Sequence, residues 1–290
     1  MEKQGMLEWK QVDGNWSVYQ KFYLEGRLKQ PSNLWDDVEG NKKATRELKS
    51  LFDEKKIFDF PKPVGLIEQI IQLIPYNESD IILDFFSGSG TTAHAVLKRN
   101  SEEKRLRKFI VVQLPELLNE ESEAFKMGFL NLSDLGKERI RRAAKKIKEE
   151  TGAAIDYGFR VYRLDESNMQ DVYYRPQDYK QEALDLFADN VKPDRTADDL
   201  LAQVMLDWGL PLSLKIEQVK MAGKQVFKVA GDSLYACFDK GIDEDFAKAI
   251  AQDKPLRMVF RDNGFKDDTA KTNVKQLLKQ LSPAPEMKVI

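Results

Sequence analysis

The run Ile81-Ile-Leu-Asp-Phe-Phe-Ser-Gly-Ser-Gly-Thr-Thr-Ala93 constrains the fold of this chain more than any other stretch. Three apolar residues of strand-forming character, Ile81, Ile82 and Leu83, end in a carboxylate, Asp84. A loop containing Gly88 and Gly90 follows, and then a segment with helical character. A strand, a tight turn and a helix N-terminus in that order are how a parallel sheet presents free N–H groups to a nucleotide-like ligand. Glycine suits such a loop because it lacks a Cβ and tolerates positive φ. The plain alternative is a glycine turn that merely joins strand to helix.

Two ligand classes compete for the loop. Gly88-Ser-Gly90-Thr-Thr-Ala93 fits the dinucleotide fingerprint G-x-G-x-x-G/A, which expects an acid about 20 residues further on for the ribose. The next strand-like run is Phe109–Leu114, and Gln113 stands where that acid belongs. Asp84, just ahead of the loop, would repel a pyrophosphate but suits a cationic amine. S-adenosylmethionine carries an amine and a sulfonium and no phosphate, so charge favours it over NAD.

Asp84-Phe-Phe-Ser-Gly-Ser-Gly-Thr91 resembles the D-P-F-x-G-x-G-T loop of amino-methylating DNA methyltransferases, with Phe85 in place of proline. Phe58-Asp-Phe-Pro-Lys62-Pro63 is similar to the Lys-Pro element that precedes the loop in the β-type order of motifs. Arg107–Glu116, Ser133–Ala143, Asp207–Leu212, Ala236–Asp239 and Phe260–Asp268 resemble the modification subunit of type III restriction–modification systems. The resemblance runs from about Leu34 to Ile290 and rests on the ordered set of motifs rather than on any one of them. It implies a fold of class α/β: a partial, Rossmann-like core with a parallel sheet that binds S-adenosylmethionine, followed by a smaller α+β C-terminal domain.

The resemblance assigns cofactor binding to Lys62, Pro63, Asp84, Phe85, Phe86, Ser87, Gly88, Ser89, Gly90, Thr91, Thr92, Gln113 and Glu116. Adenosine and methionine would lie across the ends of the first two strands, with the ribose near Gln113 to Glu116. No catalytic residue is assigned. The family's second motif, Asp-Pro-Pro-Tyr, holds the flipped adenine, and it is absent: no two of the 11 prolines are adjacent. Ile74-Pro75-Tyr76 is the nearest approach and reads as a helix-terminating turn. The expectation is the C-terminal portion of a site-specific DNA adenine-N6 methyltransferase, inactive alone. The alternative is a non-catalytic assembly module of the same complex. The partners implied are DNA, a restriction–helicase subunit and a second modification subunit.

Three segments follow. Residues 1–60 read as a hairpin around Asp13-Gly14 and a linker, the tail of a target-recognition region. Residues 61–150 read as the cofactor core, with helices at Val64–Ile74, Thr91–Arg99 and Leu135–Glu150 and strands at Ile81–Asp84 and Phe109–Leu114. Pro63 is expected at the first helical position. Residues 151–290 read as the α+β assembly domain: a connector, a strand at Phe159–Leu164, a helix at Thr196–Trp208, a hairpin around Gly231-Asp232, then helix, strand and helix. His94 reads as a helix-surface or packing residue, and Cys237 as a buried structural thiol rather than a nucleophile.

Charge separates these regions. From Lys98 to Lys148 there are 14 Lys and Arg against 8 Asp and Glu, and from Thr151 to Gly209 there are 6 against 12. The basic flank suits a phosphate backbone and the acidic stretch a protein partner. The helix from Lys137 to Glu150 nevertheless reads as a solvated face over a stripe of Ile140, Ala143, Ala144 and Ile147. One histidine and one cysteine preclude a Cys/His zinc site, and the spacing of Asp262, Asp267 and Asp268 is not that of a calcium loop. No apolar run approaches the roughly 20 residues that span a bilayer, and Met1-Glu-Lys-Gln-Gly lacks the apolar core of a signal peptide. A cytoplasmic protein without a membrane partner is expected.

Overall fold

The computed structural model describes residues 6–21, 31, 33–35, 38–75, 77, 80–170, 190–281 and 286–290. The chain divides into two compact units, Met1–Val161 and Tyr162–Ile290.

The first unit opens with the expected hairpin, β1 (Leu7–Val12) paired antiparallel with β2 (Asn15–Gln20). Asp13 and Gly14 both take positive φ, 51° and 81°, the turn geometry whose twist matches paired strands. Helix α1 (Asn41–Leu51) follows, and α2 (Val64–Gln72) begins just after Pro63. Pro63 is the N-cap of α2, with extended ψ of 138°, and not its first helical residue. The Val64 N–H is instead satisfied by the Glu47 carboxylate on α1 at 3.3 Å.

Strand β3 (Ile81–Asp84), helix α3 (Thr91–Glu103) and strand β4 (Lys108–Val111) form a βαβ unit with parallel pairing, Ile82 opposite Phe109 and Leu83 opposite Ile110. Ile82 and Phe109 pack with Val64, Ile71, Ala95 and Val96, so α2 and α3 cover one face of the pair. The other face, Ile81, Leu83, Ile110 and Val112, is apolar and exposed.

A short α4 (Glu123–Lys126) leads to α5 (Leu132–Thr151). Asn131 caps α5 by accepting the Asp134 N–H, and Gly152 ends it in the left-handed conformation. Its buried stripe has two sides: Leu135 and Ala143 pack with α1 and α4, while Ile140, Ala144 and Ile147 pack with α3. Its outer charges pair along the helix, Lys137 with Asp134 at 2.7 Å and Arg142 with Glu138 at 2.9 Å. Pairs at that spacing belong to a solvated face, but Arg142 also donates to Leu51 O at 2.9 Å and lies 4.6 Å from the Phe52 ring, and so packs on the end of α1.

Phe159–Leu164 forms no strand. Tyr157 and Phe159 pack against the Ile140, Ala144 and Ile147 side of α5, and the Arg141 guanidinium lies 5.6 Å from the Phe159 ring. The alternation that resembles a strand here serves packing against a helix.

The second unit is a mixed five-stranded sheet in sequence order, β5 (Ile216–Met221), β6 (Lys224–Val229), β7 (Leu234–Cys237), β8 (Arg257–Phe260) and β9 (Glu286–Val289). The first three strands are antiparallel, and β7, β8 and β9 are parallel. The β6–β7 hairpin turns at Gly231-Asp232 as expected, whereas β5 and β9 were not foreseen from the sequence. Helix α6 (Ala197–Asp207), with a Thr196–Asp199 capping box, packs Leu200, Leu201, Val204 and Met205 on one face of the sheet. Helices α7 (Glu244–Ala251) and α8 (Asp268–Leu281) pack Phe246, Ile250, Val274 and Leu278 on the other. Covered on both sides, β7 is buried throughout, Cys237 included. Asp267 accepts the Ala270 N–H at the start of α8, and Asp262 pairs with Lys271 at 2.5 Å. Both carboxylates thus have structural partners.

Candidate functional site

The candidate site is the loop from Asp84 to Thr92, at the C-terminal end of the parallel pair β3–β4. Backbone hydrogen bonds extend the ladder into it: Val112 N–H donates to Asp84 O at 2.8 Å and Ser87 N–H to Val112 O at 3.1 Å. The chain then turns through Gly88 and Gly90, with φ of +52° and +80°. Gly90 is the N-cap of α3. The first three N–H groups of α3, those of Thr91, Thr92 and Ala93, have no acceptor among the described residues. They form the partly positive end of a 13-residue helix.

Asp84 is half-buried and tied to its own loop. Its Oδ1 accepts the Phe86 N–H at 3.1 Å and its Oδ2 accepts the Thr92 hydroxyl at 2.5 Å. A carboxylate has about four lone-pair sites, so these two bonds orient the group and leave room for a further donor. Gln113, just past β4, accepts the Gly88 N–H at 2.8 Å. The residue standing in the acid position of a dinucleotide site therefore supports the loop.

Lys62 and Pro63 are joined to the loop through Thr91, whose hydroxyl donates to Lys62 O at 3.4 Å. Phe85 and Phe86 are exposed beside one another, ring centroids 5.0 Å apart. Ser87 and Gly88 are half-buried, whereas Ser89, Gly90, Thr91 and Thr92 are buried. Glu116 is the member of the set not brought to the loop by a hydrogen bond or ion pair among the described residues. Its backbone oxygen accepts the Leu132 N–H at 2.8 Å while its side chain is exposed.

The loop rests on α5. A Cβ at Gly90 would meet Gly136 O at 3.2 Å, and one at Gly136 would meet Gly88 O at 3.4 Å. Gly90, with its positive φ and the tighter contact, is the position where a side chain is strained, while at Gly136 a Cβ would just reach van der Waals contact with the loop. One turn after Gly136, Arg139 is fully buried, and its Nη1 donates to Ser89 Oγ and Thr91 Oγ1, both at 2.8 Å. Its Nε and Nη2 are buried without an acceptor among the described residues. Burial lowers its pKa to about 10, opposed by the Glu47 carboxylate, so it is charged at neutral pH. Arg139 escapes a reading of α5 as a basic solvated helix. Its position, four residues after Leu135 and four before Ala143, is the available signal, because that spacing puts it on the buried stripe.

His94 lies behind the loop, its N–H bonded to Gly90 O at 3.3 Å. Burial first, and then the positive charges of Arg139, Lys98 and Lys146, lower its pKa to about 3. It is a neutral packing residue at physiological pH.

Residues 2–123 match the N6_N4_Mtase family, described as DNA methylase. The Mod subunit of the type III restriction–modification enzyme StyLTI, from Salmonella typhimurium, is 40% identical over 134 residues, 46% of this chain and 20% of the relative. The Mod subunit of the type III enzyme EcoP15I, from Escherichia coli, is 35% identical over 238 residues, 77% of this chain and 34% of the relative. The type II methyltransferase M.KpnI, from Klebsiella pneumoniae, is 35% identical over 128 residues, 43% of this chain and 30% of the relative. The chain thus spans between a fifth and about a third of the length of these proteins.

Proposed function

We propose a function from the premise these matches supply, that the chain is a relative of the Mod subunits of type III restriction–modification enzymes: it contributes the S-adenosylmethionine-binding part of a DNA adenine-N6 methyltransferase. The observation that carries this reading is the gathering of Asp84, the Ser87–Thr92 loop and Gln113 at one end of a parallel strand pair. Open α/β sheets bind ligands at that end.

The donor set fits the cofactor. Asp84, oriented by Thr92, offers carboxylate lone pairs to an ammonium group, and the unbonded N–H groups of α3 suit a carboxylate. Phe85 and Phe86 offer an apolar surface at the strand tip. When bound, the cofactor supplies a methyl group on a cationic sulfur. The residues of this chain bind and orient; transfer to adenine N6 needs the base-binding Asp-Pro-Pro-Tyr motif, which the sequence lacks.

The bare face of Ile81, Leu83, Ile110 and Val112 supports the same reading. Parallel sheets are ordinarily covered on both faces by helices, so helices of a larger Rossmann-like sheet would pack on this face. DNA, a restriction–helicase subunit and a second modification subunit are the partners of such an assembly. Among the described residues no helix is long and apolar enough to cross a membrane, and a cytoplasmic location belongs to the same proposal.

The alternative, a non-catalytic assembly module, is favoured by the fact that Asp84 and Gln113 are already engaged with their own loop. Calorimetry decides between them. Heat on titration with S-adenosylmethionine, lost in Asp84→Ala and absent with NADH, supports the cofactor site. No heat from the parent chain supports the assembly module. Transfer of labelled methyl to DNA by the purified chain alone would contradict the reading of the chain as inactive by itself.

A further inference from the structure

We propose that Arg139 is the positioning residue of this loop: seated beneath it on α5, it grips the Ser89 and Thr91 hydroxyls and holds the loop in the shape that receives the amino-acid end of S-adenosylmethionine. The inference rests on the cofactor reading above and adds to it a residue that is neither a glycine nor a carboxylate of the loop.

The geometry is specific. Gly136 brings α5 against the loop backbone, and a residue three positions later lies on the same helix face. Arg139 fills that place, reaching residues 50 and 48 positions away in sequence through a single nitrogen. Thr91 accepts from Arg139 and donates to Lys62 O, so the guanidinium is linked to the Lys-Pro element as well as to the loop. The Glu47 carboxylate, the acid that acts on Arg139, accepts the Val64 N–H at the start of α2.

A packing role alone accounts poorly for this residue. A buried charge without an ion-pairing carboxylate is costly, and an apolar side chain of similar volume is ordinarily at least as stabilising. No carboxylate lies within ion-pairing distance of Arg139 among the described residues. Its charge is retained where the available acceptors are hydroxyls of the glycine loop. Hydrogen bonds from a charged donor are stronger and more directional than neutral ones, which suits the holding of a short loop that has two left-handed residues. With the Ser89 and Thr91 hydroxyls engaged by Arg139, these two residues are left to face a ligand through their backbone.

The test uses the full chain and four variants, each checked as folded by circular dichroism: Arg139→Leu, which leaves no buried charge, Arg139→Lys, the pair Ser89→Ala with Thr91→Val, and that pair combined with Arg139→Leu. Affinity is measured by calorimetry for S-adenosylmethionine and for 5′-methylthioadenosine, which lacks the amino-acid end. Hydrogen exchange of the Ser87–Thr92 amides is measured without ligand. Arg139→Leu is expected to weaken S-adenosylmethionine about tenfold or more while changing 5′-methylthioadenosine less than about twofold. The hydroxyl pair is expected to give the same loss, with no further loss when combined with Arg139→Leu, and Arg139→Lys to restore part of it. Loop amides are expected to exchange faster in both variants while the interior of α5 stays protected. Equal losses for the two ligands, or loop exchange unchanged on removal of the hydroxyls, would make Arg139 a packing residue and overturn the proposal. If the parent binds neither ligand the cofactor reading falls, and the exchange measurement still decides whether Arg139 holds the loop.

Discussion

The Gln113 side-chain oxygen accepts the Gly88 N–H at 2.8 Å, joining the end of the second parallel strand to the glycine loop that follows the first. Gln113→Ala removes the acceptor and leaves a half-buried N–H to find another. The expected cost is about 1 kcal/mol in urea denaturation. Gln113→Glu keeps an oxygen in place and should stay within about 0.5 kcal/mol of the parent. If the two variants lose equally, the bond to Gly88 is not what Gln113 contributes.

The two loop glycines should differ in what they tolerate. Gly90 has φ of +80° and a Cβ there would stand 3.2 Å from Gly136 O, so Gly90→Ala meets backbone strain together with a tight contact against α5. Gly88 has φ of +52°, and the nearest atom to its added Cβ is Phe58 Cζ at 4.0 Å. Asparagine tolerates that conformation. Gly90→Ala should cost about 1–3 kcal/mol, and Gly88→Asn under about 1 kcal/mol. Thermal unfolding of both checks the ordering.

What the sequence revealed and what it concealed follow from how residues interact. Ile81–Asp84 and its loop were legible because an apolar run, a carboxylate and two glycines are local signals, and the structure keeps that strand at the same bounds. The Asp13-Gly14 and Gly231-Asp232 turns were legible for the same reason. Ile216–Met221 was not, because an edge strand paired only with β6 is rich in Glu, Gln and Lys and carries little apolar pattern. Phe159–Leu164 misled because alternating aromatics pack on α5 as readily as they would on a sheet. Within the candidate site, Asp84 and the glycines could be read from their types. Arg139 could not, since its role depends on a contact with residues far away in sequence. The Ile74–Tyr76 turn is seen only in part, because Tyr76 lies outside the described residues.

Cys237 gives a probe of the second unit. It is fully buried in the central strand β7, and burial raises its thiol pKa to about 11. The reactive species is the thiolate, so a disulfide reagent at pH 8 should leave the native protein unlabelled and modify it at the rate of opening. Labelling in denaturant should then track loss of the β6–β8 core. Rapid labelling of the native chain would contradict the burial.

His94 should dominate one part of the pH dependence of the first unit. Its folded pKa is about 3 against an ordinary value of 6.5, because burial and the nearby positive charges of Arg139, Lys98 and Lys146 oppose protonation. Below pH 6.5 the unfolded chain binds a proton there that the native state refuses. Linkage then makes stability fall as pH falls, by up to about 1.4 kcal/mol per pH unit, until the folded pKa is reached. The full contribution of neutral His94 is present above pH 6.5 and is lost progressively between pH 6.5 and about 3. Other groups titrate in the lower part of this window, so the informative interval is pH 5 to 6.5, where ordinary carboxylates are largely ionised. His94→Gln removes the proton-binding group, and the slope of unfolding free energy between those pH values should flatten relative to the parent. The chain has one histidine, so its imidazole NMR signals report the same titration without ambiguity. A midpoint near 6.5 in the folded protein would show that His94 is solvated and remove the basis for the slope.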